Sequence, residues 1–139
     1  MIKELVTDEE ILSKPCEKAT AEDAEVVEDL FDTMATLDSA ACLAANQIGV
    51  TKSIFVYLND DDEHKMMLNP VLKRGLYPYK TSESCLTRDE ESKVTRFNKV
   101  RVEYDEIVGG ELEHHRIDLD GFTAQAVQHM IDHCKGKLV

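Results

Sequence analysis

The sequence predicts an α+β fold, and three observations carry that reading. An amphipathic helical stripe stands near the N-terminus, a second helical segment stands near the C-terminus, and the chain between them reads as β. Strands gathered between two helices, with no βαβ alternation, define the α+β class. The 139 residues fit one domain, residues 1–139. A chain of this size buries roughly 68% of its unfolded surface, enough for a core without disulfide staples.

The first helix is expected from Ala21 to Leu37. Val26, Val27, Leu30, Phe31, Met34 and Leu37 recur at helical spacing and form one apolar stripe. Thr20 followed by Asp23 reads as a capping box with Asp in place of Glu, and acids in the first turn suit the helix dipole. The helix is expected to fray near Asp38–Ala40. Ser53–Leu58, Met66–Leu72 and Leu76–Lys80 are short apolar runs separated by turn chemistry, and Asn59–Glu63 is a charged loop. Val100, Val102 and Tyr104 alternate with polar residues. Gly109-Gly110 then permits a tight turn into Glu111–Leu119, which predicts a β-hairpin. The second helix runs from Gly121 to about Lys135, with Asp118 or Asp120 as its candidate cap and Gly136 at C′.

Charge narrows the function classes. Acidic residues number 28 and basic residues 16, a net charge of −12. Such a surface repels phosphates, which argues against nucleic acid and against anionic membranes as partners. No apolar run approaches the roughly 18 residues that span a bilayer. The N-terminus, MIKELVTDEEILSKP, is acidic and has no apolar core, so no signal peptide is read and a cytoplasmic location is expected. The four cysteines then read as thiols.

The chemistry concentrates on the second helix. His129 and His133 stand at i and i+4, so their imidazoles project within about 40° of each other, one turn apart. That is the geometry of two nitrogen ligands on one metal ion. Val127, Ile131, Cys134 and Leu138 form the core stripe, and the histidines lie well off its centre. The spacing alone is a weak signal. A third ligand is needed, and thiolate is the natural partner of two imidazoles on zinc or ferrous iron. Cys134 points about 100° away from His133. Among Cys16, Cys42 and Cys85, spacing cannot choose.

Three ordered segments resemble the sequence signatures of the peptide deformylase family, roughly G-x-G-L-A-A-x-Q-I-G, E-G-C-L-S and Q-H-E-x-D-H-L-x-G. Here they read Ala40-Ala41-Cys42-Leu43-Ala44-Ala45-Asn46-Gln47-Ile48-Gly49, then Glu83-Ser84-Cys85-Leu86-Thr87, then Gln128-His129-Met130-Ile131-Asp132-His133-Cys134-Lys135-Gly136. Asn69-Pro70, Val94-Thr95-Arg96-Phe97 and Gly121-Phe122-Thr123-Ala124 extend the likeness over nearly the whole chain.

The resemblance implies antiparallel β-sheets packed around a central metal-binding helix. It implies a Cys85, His129, His133 site for one divalent ion, with water in the fourth position. In this family the native ion is usually Fe²⁺, with Zn²⁺ or Ni²⁺ substituting. It implies removal of the formyl group from N-formylmethionyl peptides, the N-termini of nascent chains. Gln47 and the backbone N–H of Leu86 would stabilise the oxyanion. Cys42 and Leu43 fall in the substrate-binding segment, and Arg96 matches a family arginine near the peptide cleft. The alternative for Arg96 is a surface ion pair in an acidic protein.

Several positions depart from the family pattern. Met130 stands where the family has the Glu of H-E-x-x-H, the general acid/base, and a thioether moves no protons. Met130 also borders the core stripe and so reads equally as a core residue. Ala40, Cys42 and Ser84 replace glycines. The sequence ends three residues after Gly136, where many bacterial relatives continue into a tail that helps docking at the ribosome, so ribosome contact stays open. Three functional readings follow: a working deformylase, a weak or inactive relative that binds metal and N-formyl or N-acyl peptides, and a structural metalloprotein in which Cys42 is the fourth ligand.

Overall fold

The computed structural model describes residues 1–38 and 40–139. Five strands form one antiparallel sheet in the order β1 (Cys42–Ala44), β2 (Ile54–Leu58), β3 (His64–Cys85), β4 (Arg88–Val108) and β5 (Glu111–Asp120). Sequential neighbours pair throughout, as short antiparallel connections allow. Helix α1 (Glu9–Leu12) precedes the sheet with α2 (Ala24–Met34), and α3 (Gly121–Cys134) follows it.

The β2 run Ile-Phe-Val-Tyr-Leu shows no polar alternation because both of its faces are covered. Ile54 and Val56 join Leu43, Leu68, Val27, Leu30 and Met34 in a core beneath α2. Phe55 and Tyr57 join Met67, Val100, Val102, Tyr104, Val127 and Ile131 in a second core beneath α3. Period-2 side-chain alternation sends neighbouring residues to opposite layers. Helix α3 touches all five strands, which makes it the central helix of the fold. Ten of its fourteen residues are buried, so its apolar stripe is not its only covered face.

The Thr20–Asp23 capping box is present, and it opens a 3₁₀ turn, Ala21–Asp23, that leads into α2. The α-helix itself ends at Met34, and turns carry the chain through Leu37. Of the expected fraying at Asp38–Ala40, Ser39 lies outside the described residues. Gly109 and Gly110 turn β4 into β5 with φ of 59° and 80°, the left-handed values a two-residue type I′ hairpin requires. Gly136 closes α3 at φ 76°, and a Cβ there would stand 2.6 Å from Ser13 O. Neither expected cap serves α3. Asp118 pairs with Arg101 at 2.8 Å, and Asp120 holds the N-cap position with no side-chain cap bond.

Two strands are far longer than the apolar runs indicate. The segments Met66–Leu72 and Leu76–Lys80 belong to one 22-residue strand, β3, and the polar residues between them form a bulge at Leu72/Arg74, not a turn. A second irregularity at Leu68/Val71 contains Asn69 at φ 52°, held by hydrogen bonds in both directions with the backbone of Ala19. Bulges kink a strand without ending it. The consequence is that β3 and β4 run on as a hairpin whose tip reaches α3.

Candidate metal centre

The tip is a two-residue turn, Leu86–Thr87, between Cys85 at the end of β3 and Arg88 at the start of β4. It aims the Cys85 thiol at α3. Cys85 Sγ lies 3.4 Å from His133 Nε2, and His133 Nε2 lies 3.2 Å from His129 Nε2. All three donor atoms lie within 4.8 Å of one another, and no other acidic, histidine or cysteine group of the described residues joins them. A tetrahedral ion with the usual Zn–S and Zn–N bonds sets its ligands about 3.5 Å (S to N) and about 3.3 Å (N to N) apart. The two edges at His133 match, and the third lies within 4.8 Å, so the donor set fits a divalent ion.

The surroundings prepare each donor. Glu83 Oε1 accepts from His129 Nδ1 at 2.8 Å, which fixes that proton on Nδ1 and turns the Nε2 lone pair to the site. Burial alone would raise the Cys85 thiol, but hydrogen bonds from His129, His133 and Thr87 outweigh it and bring it down to about 5. Burial likewise opposes protonation of His129, yet the Cys85 and Glu83 anions carry it up to about 9.

Glu83 is itself held. Arg96 donates to it twice, at 2.7 and 2.9 Å, and Gln125 donates at 2.9 Å. Burial would raise the Glu83 carboxyl, but its bonds with His129, Arg96 and Gln125 lower it to about 2. The remaining Arg96 amino group reaches Asp132 at 2.6 Å. The guanidinium is 4% exposed and lies outside the cleft lining, behind Glu83. The ion-pair expectation for Arg96 is corrected in one respect, its burial. It is an ion pair, but a buried one, and it stands one residue behind the cleft, on Glu83.

A cleft of about 470 Å³ opens over the donors. Cys42, Gln47, Cys85, Leu86, His129 and Met130 all line it. Gln47 is locked: its Oε1 accepts from Ala44 N–H at 2.9 Å, so Nε2 points to Cys85 Sγ and Thr87 Oγ1 at 3.4 and 3.3 Å. Leu43 offers the cleft its backbone alone. Alternation along β1 turns its side chain away from the cleft, fully buried beneath α2. Cys42 faces the cleft but stands outside the donor cluster, and burial together with the Cys85 and Glu83 charges pushes its thiol up to about 12. The donor cluster holds Cys85, His129 and His133 and leaves Cys42 out, so the geometry gives the four-ligand structural reading no support. Met130 is 2% exposed and serves the core as well as the cleft wall.

Sequence reading missed Thr87, Gln125 and Asn46. Thr87 Oγ1 lies 3.4 Å from Cys85 Sγ, Gln125 braces Glu83, and Asn46 donates to His133 O at 3.0 Å. Thr87 stands at the hydroxyl position of the second signature, where a side chain that can reach the ligand thiol is legible. Gln125 is legible as the residue one helical turn before His129 on the same face, and Asn46 carries no signal of its own.

One thiolate and two imidazoles beneath an open cleft define the centre of a metal-binding hydrolase. The polypeptide deformylase family model matches residues 2–139. The chain is 37% identical over 140 residues to the peptide deformylase of Clostridium beijerinckii, covering 100% of both chains. It is 38% identical over 146 residues to that of Aquifex aeolicus, covering 98% of this chain and 84% of that one. The crystal structure of peptide deformylase from Thermus thermophilus superposes with a TM-score of 0.85 at 26% identity, over 99% of this chain and 83% of that one. This chain belongs to the polypeptide deformylase family, whose substrates are formylated peptides. Among the described residues, no helix is long and apolar enough to cross a membrane.

Proposed function

We propose that the chain is a cytoplasmic, iron-dependent peptide deformylase for N-formylmethionyl peptides whose proton-transfer step is weak. Residues 1–139 act as one domain in this reading. The observation that carries it is the Cys85, His129 and His133 donor cluster with Gln47 Nε2 3.4 Å from Cys85 Sγ, beside a cleft lined by Gln47, Cys85 and His129. A bound divalent ion would supply Lewis-acid polarisation and acidify water, with Fe²⁺ native and Zn²⁺ or Ni²⁺ as substitutes.

The protein's own groups do the rest. Gln47 Nε2, oriented because its Oε1 accepts from Ala44 N–H, donates to the oxyanion that develops on the formyl oxygen, and Leu86 N–H donates beside it. The peptide backbone approaches along the outer edge of β1, the terminal strand of the sheet, past Cys42 and Leu43. Nascent-chain N-termini are the natural source of the substrate. The net charge of −12 speaks against nucleic acid and anionic membrane surfaces, and any ribosome contact would use a protein face.

Proton delivery is the weak step. Met130 offers no proton, and the one carboxylate in the cleft wall, Glu83, is fully engaged by His129, Arg96 and Gln125. These two facts favour a second reading, a relative that binds metal and N-formyl or N-acyl peptides with little turnover. Assay of the iron-loaded wild type under anaerobic conditions on a formyl-Met peptide, beside Met130→Glu, separates the two. Measurable wild-type turnover supports the first reading, and binding with turnover only in the variant supports the second.

A further inference from the structure

We infer that Asn46 is a positioning residue for the metal ligand His133, its Oδ1 being the acceptor for the His133 Nδ1 proton. The inference rests on the metal site proposed above. His133 is 1% exposed and Asn46 is fully buried. Asn46 sits in the 3₁₀ turn Ala45–Ile48, directly before Gln47, and its Nδ2 donates to His133 O at 3.0 Å. Only the amide nitrogen can donate to a carbonyl, so that bond fixes the orientation of the carboxamide. The atom left over is Oδ1, which is buried without a partner.

The second unpartnered atom belongs to the same pair of residues. His133 Nδ1 is also buried without a hydrogen-bond partner. Its Nε2 faces Cys85 Sγ and His129 Nε2, so an imidazole offering that lone pair to an ion carries its proton on Nδ1. A buried donor and a buried acceptor, both unsatisfied, thus flank one another's residues. Metal-bound histidines characteristically donate their second N–H to an oxygen, which sets tautomer and ring orientation. For His129 that oxygen is Glu83 Oε1. For His133 the acceptor is Asn46 Oδ1, reached across one buried water, which leaves the Nδ2 bond to His133 O intact.

The test uses the zinc-loaded full chain. Zinc affinity is measured by chelator competition for wild type, Asn46→Ala and Asn46→Asp, and the His133 ring nitrogens are followed by ¹⁵N NMR. Asn46→Ala should weaken zinc binding roughly 10- to 100-fold. Asn46→Asp keeps the acceptor but loses the donor to His133 O, and it should bind more tightly than Asn46→Ala. Wild type should show a slowly exchanging proton on His133 Nδ1. Equal zinc affinity in wild type and Asn46→Ala, or an Asn46→Asp no better than Asn46→Ala, overturns the inference. Where a variant does not fold, a fast-exchanging or absent Nδ1 proton in wild type overturns it. Failure of wild type to bind zinc at all instead overturns the metal reading beneath it.

Discussion

Glu83 Oε1 lies 2.8 Å from His129 Nδ1, and the same oxygen lies 2.7 Å from Arg96 Nη2. One carboxylate therefore orients a metal ligand on one side and neutralises a buried guanidinium on the other. The hairpin tip that carries the thiol and the helix that carries the imidazoles are tied together by this link and by the Arg96–Asp132 pair.

Removing that carboxylate should be costly in two ways. Glu83→Ala leaves Arg96 with Asp132 as its remaining anion and His129 Nδ1 without an acceptor. Loss of one partner from a buried ion pair costs about 3–5 kcal/mol, to be read from urea unfolding. Metal affinity should fall by roughly 10- to 100-fold.

Glu83 also predicts a pH dependence. Its carboxyl is depressed from 4.5 to about 2 in the folded chain. The stability it contributes is therefore complete above pH 4.5 and is lost as pH falls from there toward 2. Urea midpoints measured down this range should fall less steeply in Glu83→Gln than in wild type.

The Cys85 thiol should titrate far below an ordinary cysteine in protein stripped of metal. Ultraviolet thiolate absorption should be present at neutral pH and disappear as pH falls through about 5. Cys85→Ser should abolish that signal. The other three cysteines are not candidates for it, since burial raises each of them.

Cys85→Ser should also empty the site. Metal analysis of wild type should find about one ion per chain, and the variant close to none. Retention of the ion by the variant refutes the ligand set.

Met130→Glu should raise kcat/KM for a formyl-Met peptide by roughly 10²–10⁴-fold, the usual worth of general acid–base assistance. Thermal stability should drop, because Met130 packs in the core beneath α3. Unchanged turnover in a folded variant would show that the cleft, not proton transfer, limits the reaction.

The sequence by itself determined the two main helices, the capping box at Thr20, the Gly109-Gly110 hairpin and, through three ordered motifs, the identity of the ligands. Each is a local signal: periodicity, a turn that needs positive φ, or residue types at fixed spacing. It did not reveal that β3 and β4 run on for 22 and 21 residues. Their distal halves are largely polar, carry no apolar alternation, and are strands because they pair with each other. Tertiary structure alone decided where Arg96 and Leu43 point, that Cys42 stands apart from the donors, and that Asn46 meets His133. Those outcomes depend on contacts between segments tens of residues apart, where the partner sets a side chain's environment and local sequence does not.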